Sequence, residues 1–342
     1  MKKLIALLLA LVMVIGLVAC GNNDAPAAEA PKADAPAADA PAADAPAADA
    51  PAADDEIVIG WIACDFSAPS VARSREGAEA KGAELGVKVI TLDSAGDVQK
   101  EADNALNLLS QGVDGIIIEP NDMVAFVPIA QQIKEAGVPL IVFCQEFEEQ
   151  YQDLRICYVG CKDYDCGVFA GEEAIRCLGE EGGNVVIVNG MVGSTPQIQR
   201  GKGFRDALEG HDNIVILEEQ CSPWDRAKAV EIMEDFITRY GEDIDLVYAM
   251  DDNLAIGAVE ALRSAGLSGK IPVIGYNGMS DAFELIKSGE MYSTLIQPLY
   301  WGGGVAVQAM YDYLTGKEIE PAYYDTMVNV TAENVDELEP EW

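Results

Sequence analysis

Short, unbroken apolar runs alternate with segments of helical period along most of this chain, and that pattern leaves few folds open. Ile57 to Ala63, Val87 to Leu92, Gly115 to Ile118 and Pro139 to Phe143 are apolar throughout, without the in-out alternation of a half-solvated strand. Continuous runs of this kind belong to parallel strands buried on both faces. Between them, Val98, Ala102, Ala105, Leu106 and Leu109 mark one helical face, and Asp122 to Ala136 reads as a second helix. Ser67 and Pro69 punctuate the start of an earlier one.

The series then restarts. Asn184 to Val188, Ile214 to Leu217, Leu246 to Ala249, Ile271 to Gly275 and Ser293 to Ile296 read as strands. Helices are expected up to Leu208 and over Trp224–Tyr240, Asp252–Ala265 and Asp281–Lys287, with Ala229, Ile232, Met233, Phe236 and Ile237 on the buried face of the second of these. The chain has 342 residues, and at roughly 150 residues per domain two successive βα series of domain size are expected. The fold class is α/β: two doubly wound, Rossmann-like parallel-sheet lobes.

In such sheets ligands bind beyond the carboxyl ends of the strands. The polar residues closing each apolar run are therefore the ones to inspect: Cys64-Asp65, Glu119, Cys144-Gln145, Asn189, Asp251, Tyr276-Asn277 and Gln297. Two lobes presenting these edges to each other would enclose a cleft suited to a small polar ligand.

Residues 1–55 are expected to lie outside the fold. Lys2 and Lys3 precede an apolar run from Leu4 to Ala19, too short to span a membrane comfortably and suited to a signal peptide. It ends in Leu17-Val18-Ala19-Cys20-Gly21, which resembles the lipobox of bacterial lipoproteins; lipidation of Cys20 is what that resemblance implies. Prolines at 26, 31, 36, 41, 46 and 51, separated by Ala and acidic residues, read as a solvated tether over 21–55. Fully extended, it would reach on the order of 100 Å at about 3.1 Å per residue.

The chain carries 22 basic and 58 acidic residues, a net charge of −36. Only 3 of the basic and 8 of the acidic residues precede residue 56, so 19 and 50 remain in the body, a net of −31. So acidic a body is unsuited to a nucleic-acid backbone, itself a polyanion. Catalysis finds little support: no P-loop, no G-x-S-x-G and no complete G-x-G-x-x-G is present, and the single histidine, His211, sits in a Gly-His-Asp loop. Seven cysteines follow Cys20: Cys64, Cys144, Cys157, Cys161, Cys166, Cys177 and Cys221. Without a paired C-x-x-C they read as small buried hydrophobes and strand-end residues; no metal and no cofactor is expected.

From about Ile57 to Val330 the chain resembles the type I periplasmic binding proteins, near the ribose-binding branch. The resemblance rests on Gly112-Val113-Asp114-Gly115 with Ile118-Glu119-Pro120, on Gly137-Val138-Pro139, on Arg200-Gly201-Lys202-Gly203-Phe204, on Trp224-Asp225-Arg226, on Asp251-Asp252 before Ala-Ile-Gly-Ala, and on Gly275-Tyr276-Asn277-Gly278, in that order. It implies a three-strand hinge, crossed near Cys161, Gln297 and Thr326, with the ligand cleft between the lobes. The first lobe would hold 56–161 plus 298–326, and the second 162–297 plus 327–342.

The resemblance also implies ligand-binding roles for Arg200, Trp224, Asp251, Asn277 and Gln297 in the second lobe. Arg and carboxylate or amide groups make paired hydrogen bonds to adjacent hydroxyls, while an indole covers C–H surface. Each has a simpler reading: Asp251 as a helix N-cap, Asn277 as turn chemistry, Gln297 as a hinge residue, Arg200 and Trp224 as structural contacts. The first lobe departs from the ribose pattern, with Ala68, Ser70 and Val71 around Pro69, Cys144-Gln145 in place of Asp-Arg, and Glu119 in place of Asn. Asp65, Phe66, Ser70, Glu119, Cys144 and Gln145 are the candidates there.

The expected function is that of a non-enzymatic, exported, lipid-anchored and monomeric binding component of a bacterial ABC importer. It would capture a monosaccharide or polyol by lobe closure and hand it to a membrane permease, with no nucleic-acid partner. Alternatives are a sensory receptor of the same fold, a receptor for another polar metabolite such as a nucleoside, and a surface enzyme.

Overall fold

The computed structural model describes residues 56–342; the apolar run, Cys20 and the proline-rich tether lie outside the described residues. Chain order begins β1 (Val58–Ala63), α1 (Pro69–Leu85), β2 (Lys88–Asp93), α2 (Val98–Gln111), β3 (Gly115–Ile118), α3 (Met123–Glu135), β4 (Leu140–Phe143) and β5 (Cys157–Gly160). It continues α4 (Asp163–Leu178), β6 (Gly183–Asn189), α5 (Thr195–Ala207), β7 (Ile214–Cys221), α6 (Arg226–Tyr240), β8 (Leu246–Ala249), α7 (Asp252–Ser264), β9 (Val273–Ile274), α8 (Ser280–Lys287) and β10 (Ser293–Ile296). Helix α9 (Leu299–Leu314), β11 (Ala322–Tyr324) and β12 (Val328–Thr331) close it.

Two six-stranded sheets result, ordered β11-β5-β4-β3-β1-β2 and β12-β10-β9-β8-β6-β7. The first is parallel throughout. In the second, β12 alone runs antiparallel, against β10. The unbroken apolar runs have the physical cause inferred for them. Ile59, Trp61 and Ala63 of β1 pack with Ala306, Val307 and Met310 of α9 on one face, while Ile62 packs with Leu108 of α2 and Phe126 of α3 on the other. In the second lobe, Val186, Val188 and Val247 face α6 and α7, and Val185, Ile187 and Tyr248 face α4 and α5. Each fully buried Val, Leu or Ile contributes roughly 1.5–3 kcal/mol of transfer free energy, which requires both sheet faces to be covered.

The pattern reading places no element between Phe143 and Asn184, where the structure has β5 and α4. Cysteines and glycines thin the apolar signal there. Gly167 of α4 is needed because a Cβ on it would lie 2.1 Å from the Arg200 carbonyl oxygen, so α4 and α5 touch backbone to backbone. The run Gly302-Gly303-Gly304, poor in helix propensity, is helical for the same reason: a Cβ on Gly303 would lie 1.9 Å from the Ser74 carbonyl oxygen of α1.

The chain passes between the sheets three times: from β5 to α4 through Cys161 and Lys162, from β10 to α9 through Gln297 and Pro298, and from β11 to β12 through Asp325–Met327. Helices follow the strands, so their N-termini gather at the strand ends, where Asp97, Asp122, Ser194, Asp225 and Asp251 each accept a backbone N–H as N-cap. Each such cap contributes about 1 kcal/mol. Part of the acidity of this edge is therefore structural.

Candidate functional site

At that edge lies a cavity of about 1220 Å³ with walls from both lobes. Asp65, Asn121, Gln145 and Phe147 contribute from the first lobe, and Thr195, Tyr164, Trp224 and Asn253 from the second. Cys161, Asp163 and Tyr324 close the hinge end. Three of the sequence candidates, Asp65, Gln145 and Trp224, line it directly. Gln145 donates Nε2–H to the Pro120 carbonyl at 2.6 Å, leaving its amide oxygen to act as acceptor.

Five others, Cys144, Arg200, Asp251, Asn277 and Gln297, are not among the lining residues: Asn277, Gln297 and Cys144 form one chain of contacts, Arg200 pairs separately with Asp163, and Asp251 caps α7. Arg200 is 5% exposed. Its Nε donates to Asp163 at 2.9 Å and its Nη1 to the Met250 carbonyl at 2.7 Å, while the guanidinium carbon sits 3.8 Å from the centre of the Tyr276 ring. Burial opposes the charge of Arg200, but Asp163 and its neighbours hold its pKa well above the ordinary value. Burial pushes Asp163 up, and the guanidinium opposes that rise. Asn277 donates Nδ2–H to Gln297 Oε1 at 3.0 Å, and Gln297 Nε2 approaches Cys144 Sγ at 3.8 Å, linking the lobes. Asp251 caps α7 by accepting the Leu254 N–H at 2.7 Å, and burial pushes its carboxyl up to about 7. The cap reading and the strand-end position thus hold together for this residue.

Glu119 directly follows β3 and is buried, accepting from the Ser74 hydroxyl at 3.2 Å; burial pushes it up to about 7. Phe66 lies under the Arg75 guanidinium at 4.6 Å and packs on the first-lobe core. Ser70 sits in the first turn of α1. Neither Phe66 nor Ser70 is among the residues lining the cavity.

Backbone strain collects at the same place. Among the described residues, the non-glycine residues with positive φ are Ala95 (51°), Cys144 (61°), Trp224 (59°) and Asn277 (129°), and three of these four are site candidates. Such conformations cost on the order of 1 kcal/mol or more and persist where surrounding structure enforces them. At Trp224 the enforcement is visible. Its indole lies against Gly190, where a Cβ would come within 1.8 Å of the ring.

Sequence reading did not single out Asp163, Tyr158 or the structural role of Asp252. Tyr158 donates its hydroxyl toward the Cys161 carbonyl at 2.9 Å and the Cys144 carbonyl at 3.2 Å, joining the end of β4 to the first crossing. Asp252, fully buried, accepts from the backbone N–H of Gly278 (2.9 Å) and Met279 (2.8 Å) and from the Thr294 hydroxyl (2.7 Å), so it shapes the turn that carries Asn277. The only local signal for Asp163 was its place just after Cys161, at an expected crossing. Among the described residues, no three His, Cys, Asp or Glu side chains converge as a metal site would require. The seven cysteines are free thiols.

Two α/β lobes joined by three crossings, with polar strand ends facing a shared cleft, define a solute-binding protein. The chain belongs to the periplasmic binding protein family, whose domain model matches residues 59–318. It is 29% identical to a xylitol-binding protein of Mycolicibacterium smegmatis over 81% of this chain and 78% of that one. It is 28% identical to the ribose import binding protein of Bacillus subtilis, over 78% and 84%. A solute-binding protein of an ABC transporter from Actinobacillus succinogenes, solved with bound D-allose, superposes with a TM-score of 0.77 at 28% identity, covering 83% of this chain and all of that one. These relatives are binding proteins, and this chain is a binding protein and not an enzyme.

Proposed function

We propose that this protein captures a monosaccharide or polyol outside the cytoplasmic membrane and delivers it to the permease of an ABC importer, as a monomer held to the membrane through a lipidated Cys20. The observation that carries this reading is the interlobe cleft. Its lining offers the Asp65 and Asp163 carboxylates and the Gln145 amide, groups that recognise adjacent hydroxyls, beside the indole of Trp224, and the buried Arg200 guanidinium pairs with Asp163. The sugars and polyol attributed to its relatives fit the same chemistry.

Capture proceeds by population shift. A ligand held by both walls favours the state in which they are closer, and the permease reads their relative placement. The ribose pattern's first-lobe aromatic pair and Asp-Arg are absent, so Asp65 and Gln145, which line the cavity, would supply polar contacts from that wall. Calorimetric titration with ribose, xylitol, allose and inositol tests the assignment. A micromolar or tighter sugar or polyol that is lost in Arg200→Ala supports it. Binding of only a nucleoside or an amino acid would overturn the substrate class. Metabolic labelling with a radioactive fatty acid, abolished by Cys20→Ala, tests the anchor.

A further inference from the structure

After β12 the chain returns to the hinge and touches both lobes. The backbone of Glu341 donates to the Gly278 carbonyl, and the Trp342 carbonyl accepts from Ser280 N–H, each at 2.8 Å, so this segment is bonded to the second lobe. Its side chains reach the first. Glu341 Oε1 accepts the Tyr300 N–H at 2.8 Å, at the start of α9, and lies 3.6 Å from Arg73 Nε of α1. The Arg73 guanidinium also covers the Tyr300 ring at 4.6 Å. Trp342 packs against the hydrophobic cores of both lobes.

We propose that Glu341 and Trp342 form a brace beside the second crossing, positioning the two lobes relative to each other. Gly278 follows Asn277, whose amide bonds Gln297, and Tyr300 lies three residues beyond Gln297. The brace therefore bridges the two sides of a crossing that consists of Gln297 and Pro298 alone. A carboxylate at the first turn of α9 is also favourably placed toward the helix dipole. Rotation about the crossings must stretch the Glu341 contacts to Tyr300 and Arg73, because its backbone stays with the second lobe. A narrower angular range in the empty protein lowers the ordering cost of capture.

The test uses the ligand-free full chain, so its failure would leave the sugar assignment untouched. Backbone hydrogen exchange and small-angle scattering are compared for wild type, Glu341→Gln, Glu341→Ala and Trp342→Ala. The alanine variants are expected to exchange several-fold faster at the distant crossings, read at the Asp325 amide that bonds the Gly160 carbonyl. Amides within β3 and β8 should be unchanged, and scattering should report a broader interlobe distribution. Glu341→Gln retains an acceptor for Tyr300 and should stay near wild type. Unchanged exchange at Asp325 with unchanged scattering would overturn the proposal. So would a uniform rise across both lobes, which marks general destabilisation.

Discussion

Arg200 and Asp163 form an ion pair of 2.9 Å with both residues at most 6% exposed, one on α5 and the other at the first residue beyond the crossing into α4. The Arg200 guanidinium is thus held by the residue that begins α4, just past the first crossing. Removing Asp163 leaves a buried charge unpaired, at about 3–5 kcal/mol. Asp163→Ala should therefore lower the urea midpoint sharply and weaken ligand binding at least tenfold. The double variant Asp163→Leu/Arg200→Met should regain much of the stability while remaining unable to bind. A double variant as unstable as the single one would show that the pair is not what Asp163 contributes.

Gly190 is expected to act through Trp224. Gly190→Ala puts a methyl group where the indole now lies, 1.8 Å from it. The ring's far end can swing away, so stability should fall by only about 1–2 kcal/mol. The ring would then no longer lie as it does on the cleft wall. Tryptophan fluorescence should shift and affinity should drop about tenfold. Wild-type affinity in this variant would remove Trp224 from the site.

The buried Glu119 predicts a pH dependence of stability. Burial raises its carboxyl from 4.5 to about 7, with Ser74 opposing. The folded state therefore binds this proton more tightly than the unfolded chain does. Its contribution is complete below about pH 4.5 and is lost as pH rises through about 7, on the order of 3 kcal/mol. Glu119→Gln carries no such proton. Melting curves from pH 4.5 to 8 should show wild type losing stability relative to the variant over that window, and parallel curves would contradict this.

Thiol reactivity should follow burial. Cys157, Cys161 and Cys166 are buried, and burial raises Cys157 to about 12. Burial likewise raises Cys64 and Cys144 well above the ordinary thiol value, with Glu119 adding to it. Cys177, at about 11, and Cys221 are only partly covered. Maleimide labelling followed by peptide mass spectrometry should therefore modify Cys177 and Cys221 first, and the buried three only after unfolding. Early labelling of Cys161 or Cys166 would mean that the first crossing opens in the native protein.

The two βα series were legible because strands covered on both faces must be apolar throughout, and Gly115–Ile118, Leu246–Ala249 and Ser293–Ile296 coincide with β3, β8 and β10. Segments β5 and α4 were not, since Gly167 and Gly171 are required by close approach and Cys157 and Cys161 are small buried residues, which together carry little periodicity. Strand-end logic led to Asp65, Gln145, Cys144, Asn277 and Gln297, and the cavity or its underlying network includes all five. Phe66, a first-lobe candidate outside that strand-end set, is held elsewhere by the Arg75 guanidinium and the first-lobe core.

By itself the sequence determined the class of fold, the two series and the edge at which a ligand can be met, since these follow from local periodicity and from helices starting where strands end. Tertiary structure alone decided which residues act together. Arg200 meets Asp163 across 37 positions, Trp224 lies on Gly190, and Glu341 reaches back to Arg73 and Tyr300. Such partnerships depend on three crossings and on helices packed backbone to backbone, and no local pattern encodes the distance between groups that only the closed fold brings together.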